Sequence, residues 1–371
     1  MNKALFSLVL SVVILSACNK QVDPPVPVIP PRINVKDYGA KGDGRTDDNT
    51  AIAAAITAGH DKKLPVYFPA GKYVARIVIS DDSVTLTGEK GVGRFFDSAG
   101  TVILGLINCN FKKKITVSNM GIDSRGLLLA SDDAALTSGV GAGNQPLDQT
   151  FTNVALLGGG FNDYKHGILC QAGSGIHMSN IYVSSFFHGI AIRCSDVSVD
   201  GVSADYCGFT SIVVKSAEIL NELVQNVTVK NVRINGDPSD AYRRGGVVMV
   251  MSYNSVSLTQ NVTVDSVRSI NGGVGAVIVE QDAGVVKNVS VANCYAEGSG
   301  DSNIRAAYDV IGGSDITFTN CNSVKSNGLG FRSAGNPVNL VVRSSSESNS
   351  AAGAWSGSFK YLQLNGVEII K

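Results

Sequence analysis

Asp196-Val197-Ser198-Val199 is followed by Asn226-Val227-Thr228-Val229, Asn261-Val262-Thr263-Val264, Asn288-Val289-Ser290-Val291 and Asp315-Ile316-Thr317-Phe318. Each phrase opens on a short polar residue and then alternates apolar with mostly hydroxyl side chains. That alternation is the period of a β-strand with one dry face and one wet face. A polar or glycine corner follows, at Gly201, Asn231, Ser266, Asn293 and Asn320, with Asn180 as an earlier copy. A third short strand comes next, as in Val202 to Asp205 or Val232 to Asn235. Between these units lies another strand: Gly167-Ile168-Leu169-Cys170 recurs as Gly189-Ile190-Ala191-Ile192 and Ser211-Ile212-Val213-Val214, each 22 residues on. Longer-spaced copies are read from Gly246, Gly275, Asn303 and Gly330. Three short strands in every 20 to 30 residues predict the coils of a parallel β-helix. A lone coil cannot bury its apolar side, so the coils must stack into one all-β solenoid.

The repeat assigns ordinary duties to several residues. The corner Asn residues form a ladder in which each side chain bonds the backbone turn of its neighbour. Cys294 and Cys321 share an inward slot one coil apart, as free stacked thiols. His177 falls in an outward column with Ser198, Thr228, Thr263, Ser290 and Thr317, while Asp200, Lys230 and Asp265 alternate in charge down the next. Ser131 to Gln149 lacks the repeat and reads as a long excursion from an early coil.

The N-terminus has a different character. Lys3 precedes an apolar run from Leu5 to Leu15, too short to span a membrane comfortably, which closes on Leu15-Ser16-Ala17-Cys18. This closely resembles the lipobox of bacterial lipoproteins. The resemblance implies cleavage before Cys18, a lipid on its sulfur and, with Asn19 next, sorting to the outer membrane. Pro24, Pro25, Pro27, Pro30 and Pro31 make a semi-rigid spacer. The expected organisation is a signal peptide over 1–17, a proline-rich linker over 18–32 and a β-helix domain over 33–371.

That domain opens with Val35-Lys36-Asp37-Tyr38-Gly39-Ala40-Lys41-Gly42-Asp43-Gly44, then Thr46-Asp47-Asp48-Asn49-Thr50 and an Ala-rich stretch. Thr46 is a candidate helix cap, Asp47 and Asp48 suit a helix N-terminus, and Ile52, Ala55 and Ile56 share one side. Val66-Tyr67-Phe68-Pro69-Ala70-Gly71-Lys72-Tyr73 reads as a strand and a turn. Residues 33 to 75 resemble the N-terminal segment of the pectate lyase superfamily and of alginate epimerase modules. The resemblance implies a right-handed parallel β-helix with an N-terminal capping helix. Its Asp residues are given structural work.

Composition narrows the function. The chain is 44% apolar and 17% charged, with 31 basic and 31 acidic residues, and so lacks the basic field of a nucleic-acid binder. Seven Cys without a CxxC pair and four His argue against zinc. Ser211 to Val247 takes 36 residues where the two preceding coils take 22. The extra residues fall at Ala217 to Gln225 and at Gly236 to Gly245, and solenoids concentrate function on such insertions. The first is assigned a covering role over Val248, Val250, Val277 and Val279. Beside the second, the third strand's outward column reads Tyr182, Ser203, Arg233, Arg268, Tyr295 and Asn322, and its neighbour Ser184, Asp205, Asn235, Ile270, Glu297 and Val324. Two arginines about 4.8 Å apart repel unless an anion lies over them.

An acidic polysaccharide is therefore the expected partner. A lyase must neutralise a uronate carboxylate, remove the C5 proton and protonate the leaving oxygen. Arg233 and Arg268 suit the first task, Tyr242 the proton transfer, and Asp205 would position Tyr242 or bind a cation such as calcium. Tyr182, Tyr295, Arg243, Arg244 and Glu297 would contact substrate. Gln171-Arg193-Lys215 on the first strand, with Arg305 and Arg332 further along, is a second basic column, and His166 and His188 share one turn position. A hydrolase would need two carboxyls flanking the bond, for which Asp205, Asp237 and Asp240 are available. The Asn-Thr-Asp and Gly-His-Gly motifs usual in hydrolases of this fold are absent, as is the epimerase Asp-Pro-His stretch. A non-catalytic surface glycan binder is the third class.

Overall fold

Strands follow one another in parallel through nearly the whole chain. The computed structural model describes residues 30–89, 100–127, 134–139, 145–160, 165–171, 173–216, 222–236, 247–300 and 305–370. The first-strand ladder runs from His166–Cys170 through His188–Ile192, Thr210–Ser216, Val248–Ser252, Val277–Gln281 and Tyr308–Ile311 to Leu329–Ala334, every pair parallel. Second and third strands are continuous in Ser174–Ser184, Ser195–Asp205, Leu223–Asn235 and Leu258–Ile270. Each bends at its corner residue: Asn180, Gly201, Asn231 and Ser266 all have positive φ. Asn adopts that left-handed conformation at little cost, which is why the corners are written with it. Together the ladders wind a right-handed β-helix.

The register agrees with the repeat. Val197, Val227, Val262, Val289 and Ile316 align coil on coil, as do Val199, Val229, Val264, Val291 and Phe318. All are buried in one continuous core. Each aliphatic side chain so buried contributes roughly 1.5–3 kcal/mol by the apolar surface it removes from water.

At the N-terminal end, the helix Asn49–Lys62 lays Ile52, Ala55 and Ile56 on the core, with Gly59 close against Val66. The helix starts later than its candidate cap, because Thr46 belongs to the strand Asp43–Asp47 and Asp48 is the cap residue. The acids nearby serve the backbone, as expected. Asp48 accepts from Lys41 N and Gly42 N, and Asp43 from Arg45 N and Thr46 N. Those amide donors hold the Asp43 carboxyl down at about 2. At the other end Tyr361–Leu364 meets Val367–Ile370 antiparallel, which ends the parallel stack.

Three details of the sequence reading change. The longer first-strand copies begin at Val247 and Ala276 rather than Gly246 and Gly275, since Ile212 pairs with Val248 and Val248 with Val277. The next begins at Ala307 rather than Asn303. Val248, Val250, Val277 and Val279 consequently point inward, and the outward apolar residues are Met249 and Ile278. Gly275 lies one residue before its copy. Ser131 to Gln149 is no excursion through its described part: Ala134–Gly139 is a fully buried coil strand paired to His166–Cys170, and small side chains hid its period. The corner ladder also links side chain to side chain rather than to backbone. Asn153 Nδ2 donates to Asn119, Asn180 to Asn153, Asn231 to Asp200, Asn293 to Asp265 and Asn320 to Asn293. Cys294 and Cys321 are buried free thiols, as read.

Candidate functional site

The third-strand columns stand in the expected register, from Tyr182 through Ser203, Arg233 and Arg268 to Tyr295 and Asn322. Their chemistry is divided. Asp205 is buried, and its oxygens accept from Tyr182 Oη at 3.1 Å and Asn235 Nδ2 at 2.6 Å. Tyr295 Oη donates to Glu297 at 2.9 Å, and that hydrogen bond raises the phenol's pKa, keeping it protonated. The Arg268 guanidinium lies over the Tyr295 ring, 4.6 Å from its centre. Arg233 and Arg268 are exposed and paired with each other in register. Glu297 and Asp205 thus engage tyrosine hydroxyls. Tyr242, Arg243, Arg244, Asp237 and Asp240 lie outside the described residues, as do Cys18 and the rest of 1–29. Among the described residues no three His, Cys, Asp or Glu side chains come together as metal ligands.

The first-strand face concentrates more chemistry. Leu169, Ala191, Val213, Met249 and Ile278 form a buried apolar strip down its middle. Along one margin run Gln171, Arg193 and Lys215, since Cys170, Ile192 and Val214 align. Arg193 is only 3% exposed, an uncommon place for a guanidinium. Along the other margin His166, His188 and Thr210 align. The two imidazoles stack with centres 5.2 Å apart and planes 5° from parallel. His188 Nδ1 shares a hydrogen bond with Thr210 Oγ1 at 2.5 Å. Phe187 meets the His188 ring edge-on at 4.7 Å and stacks on Phe209 at 5.5 Å, and Phe209 reaches solvent.

Burial, and then the fields of Arg193 and Lys215, lower His166 to about 3. Burial likewise lowers His188 well below its ordinary value, with His166, Lys215 and Arg193 adding to the effect. Both imidazoles are therefore neutral at pH 7 and sit beside two cations. Three coils beyond the Lys215 strand, Asp309 is fully buried and gripped by Arg332 through Nε at 2.8 Å and Nη2 at 2.6 Å. Arg305 bridges Asp309 and Glu280 at 3.6 and 3.2 Å. The sequence reading found the basic column and the matched histidines but passed over Asp309 and Glu280. The signal for the histidines was the matched Lys165-His166-Gly167-Ile168 and Phe187-His188-Gly189-Ile190, one coil apart.

Strand order and pairing define the class, a parallel β-helix. Residues 32–208 match the family described as Rhamnogalacturonase A/epimerase, pectate lyase-like, and the segment 33–75 that resembled that superfamily lies inside the match. A pre-neck appendage protein of Bacillus phage B103 is 30% identical over 186 residues, 47% of this chain and 18% of the phage protein. Mannuronan C5-epimerase AlgE1 of Azotobacter vinelandii is 28% identical over 264 residues, 66% of this chain and 16% of the epimerase. The chain thus spans less than a fifth of the length of either relative. Among solved structures, the A-module of Azotobacter vinelandii mannuronan C-5 epimerase AlgE4 superposes with a TM-score of 0.61 at 16% identity, covering 86% of this chain and 88% of the module. At that identity the likeness is one of fold.

Proposed function

We propose that this protein acts on a polysaccharide and, specifically, cleaves an acidic, uronate-containing one by β-elimination on the first-strand face. The observation that carries this reading is the meeting of buried Arg193 and half-buried Lys215 with two neutral, stacked imidazoles. A uronate carboxylate set against Arg193 and Lys215 loses much of its charge, which acidifies the adjoining C5–H. His188, oriented by Thr210, takes that proton. The electron pair forms the C4–C5 double bond, the C4–O bond breaks, and Lys215 protonates the leaving oxygen. The same carboxylate offsets only the smaller contribution of Arg193 and Lys215 to that lowering, since burial is its main cause. By its name the related mannuronan epimerase also works at C5 of a uronate, which supports this substrate class. A hydrolase would need a free acid and a free base, whereas Asp309 and Glu280 on this face are held by arginines. In the same reading Cys18 carries a lipid and the prolines hold the enzyme off the outer membrane.

The test is incubation with a panel of uronate polymers, followed by absorbance of unsaturated ends. Arg193→Ala and His188→Asn should each lower turnover by roughly 10²–10³-fold. New reducing ends without that absorbance would assign hydrolysis, and binding without cleavage would assign a glycan-binding protein.

A further inference from the structure

Arg233 and Arg268 do not fit the economy of the rest of the surface. They stand directly opposite one another in adjacent coils, about 4.8 Å apart along the ladder, where like charges repel. Elsewhere the outward columns resolve such problems. Asp200 and Asp265 accept from corner Asn residues, and the second strand's face is Ser and Thr. Here they are left standing. Arg233 makes no hydrogen bond or ion pair among the described residues, and the Arg268 guanidinium has a ring beneath it in place of an acid. The carboxylates one column away, Asp205 and Glu297, are held by Tyr182 and Tyr295 hydroxyls. Those hydrogen bonds fix the two phenol rings at either end of the arginine pair, in the same outward column.

We infer that this column is a second glycan-binding strip, separate from the first-strand chemistry, which holds an anionic polysaccharide along the helix axis. Arg233 and Arg268 take acidic groups on the polymer, relieving their repulsion, and Tyr182 and Tyr295 present flat faces to sugar rings. Both arginines are exposed, so a polymer reaches them without rearrangement of the coils. Its role is retention: a long chain held here stays beside the first-strand face after each cut, with the gain in effective concentration that a second attachment brings. The preference for uronate over other anionic glycans rests on the reading above, but the strip itself does not.

Calorimetric titration of the full chain with polymannuronate, polygalacturonate and an uncharged glucan of matched length tests this at several salt concentrations. The wild-type protein should bind at least one of the two polyuronates, and binding should weaken steeply with salt. Arg233→Ala/Arg268→Ala should lower that affinity by roughly tenfold or more and flatten the salt dependence by about one to two released counterions. Its melting temperature should hold or rise, because a repulsion is removed. Tyr295→Ala should weaken binding while leaving the salt dependence unchanged. Unaltered polymer affinity in the double variant, or no salt-dependent binding by the wild type, overturns the proposal. So does an equal loss of affinity for the uncharged glucan. If the polymers are bound through the arginines yet never cut, the strip stands and the lyase reading falls. If Arg193→Ala abolishes cutting and the double variant binds normally, the reverse holds.

Discussion

His166 and His188 are stacked imidazoles held in their neutral form, and a neutral imidazole in the folded state makes stability depend on pH. In the unfolded chain each would take up a proton near pH 6.5, but His166 resists until about 3. Below pH 6.5 the unfolded state therefore binds more protons than the folded one. The stabilising effect is complete above 6.5 and is lost progressively as pH falls towards 3. Denaturant titrations at pH 7 and pH 4 should show a smaller loss in His166→Asn than in the wild type. An equal loss in both would mean that His166 is not held neutral. That the two histidines match one coil apart could be read from the sequence; that they open strands instead of lying in a turn, stack and stay uncharged could not. Desolvation depends on what packs over them.

At the scale of the coil, the corner and the strand place different demands. Asn293 has a φ of 53°, donates to Asp265 and accepts from Asn320. Asn293→Ala should cost about 1–2 kcal/mol, because a Cβ without a local polar partner disfavours that conformation, and Asn293→Gly should cost less. Thermal melts of the two variants distinguish a conformational role from a purely hydrogen-bonding one, which would penalise both alike. Within the strand, Val264 is fully buried in the stack that holds Val229 and Val291, whereas Thr263 faces outward and is partly exposed. Val264→Asp places an unpaired charge in the core and should cost roughly 3–5 kcal/mol. Thr263→Asp should stay within about half a kcal/mol. Similar melting temperatures for the two would contradict the register.

For the whole molecule, stability is the sum of coils stacked on their neighbours, closed by the N-terminal helix and by the antiparallel hairpin Tyr361–Leu364 with Val367–Ile370. Arg32–Lys371 is one compact unit. If Cys18 carries the proposed lipid, Cys18→Ala should release the protein from the membrane fraction without changing its melting temperature. Mutant protein that remains in the membrane pellet would remove the lipid anchor from the functional picture.

Several properties were legible in the sequence because they are local or periodic. Alternation with period two set the inward and outward faces, polar residues suited to the left-handed conformation marked the corners, and the recurrence of Val197, Val227, Val262 and Val289 set which residues stack. Such features follow from backbone sterics and from apolar surface avoiding water, and each coil repeats them. The distribution of chemistry between two faces was decided only in three dimensions. Arg193 looks like any surface arginine in sequence, yet it is buried beside Lys215 and the paired imidazoles. Asp205 looks free, yet both its oxygens are engaged. Asp309 has two arginine partners, one 23 residues downstream and one four residues before it. Burial and ionisation depend on the neighbours that stacking supplies, and in a solenoid those neighbours come from other coils.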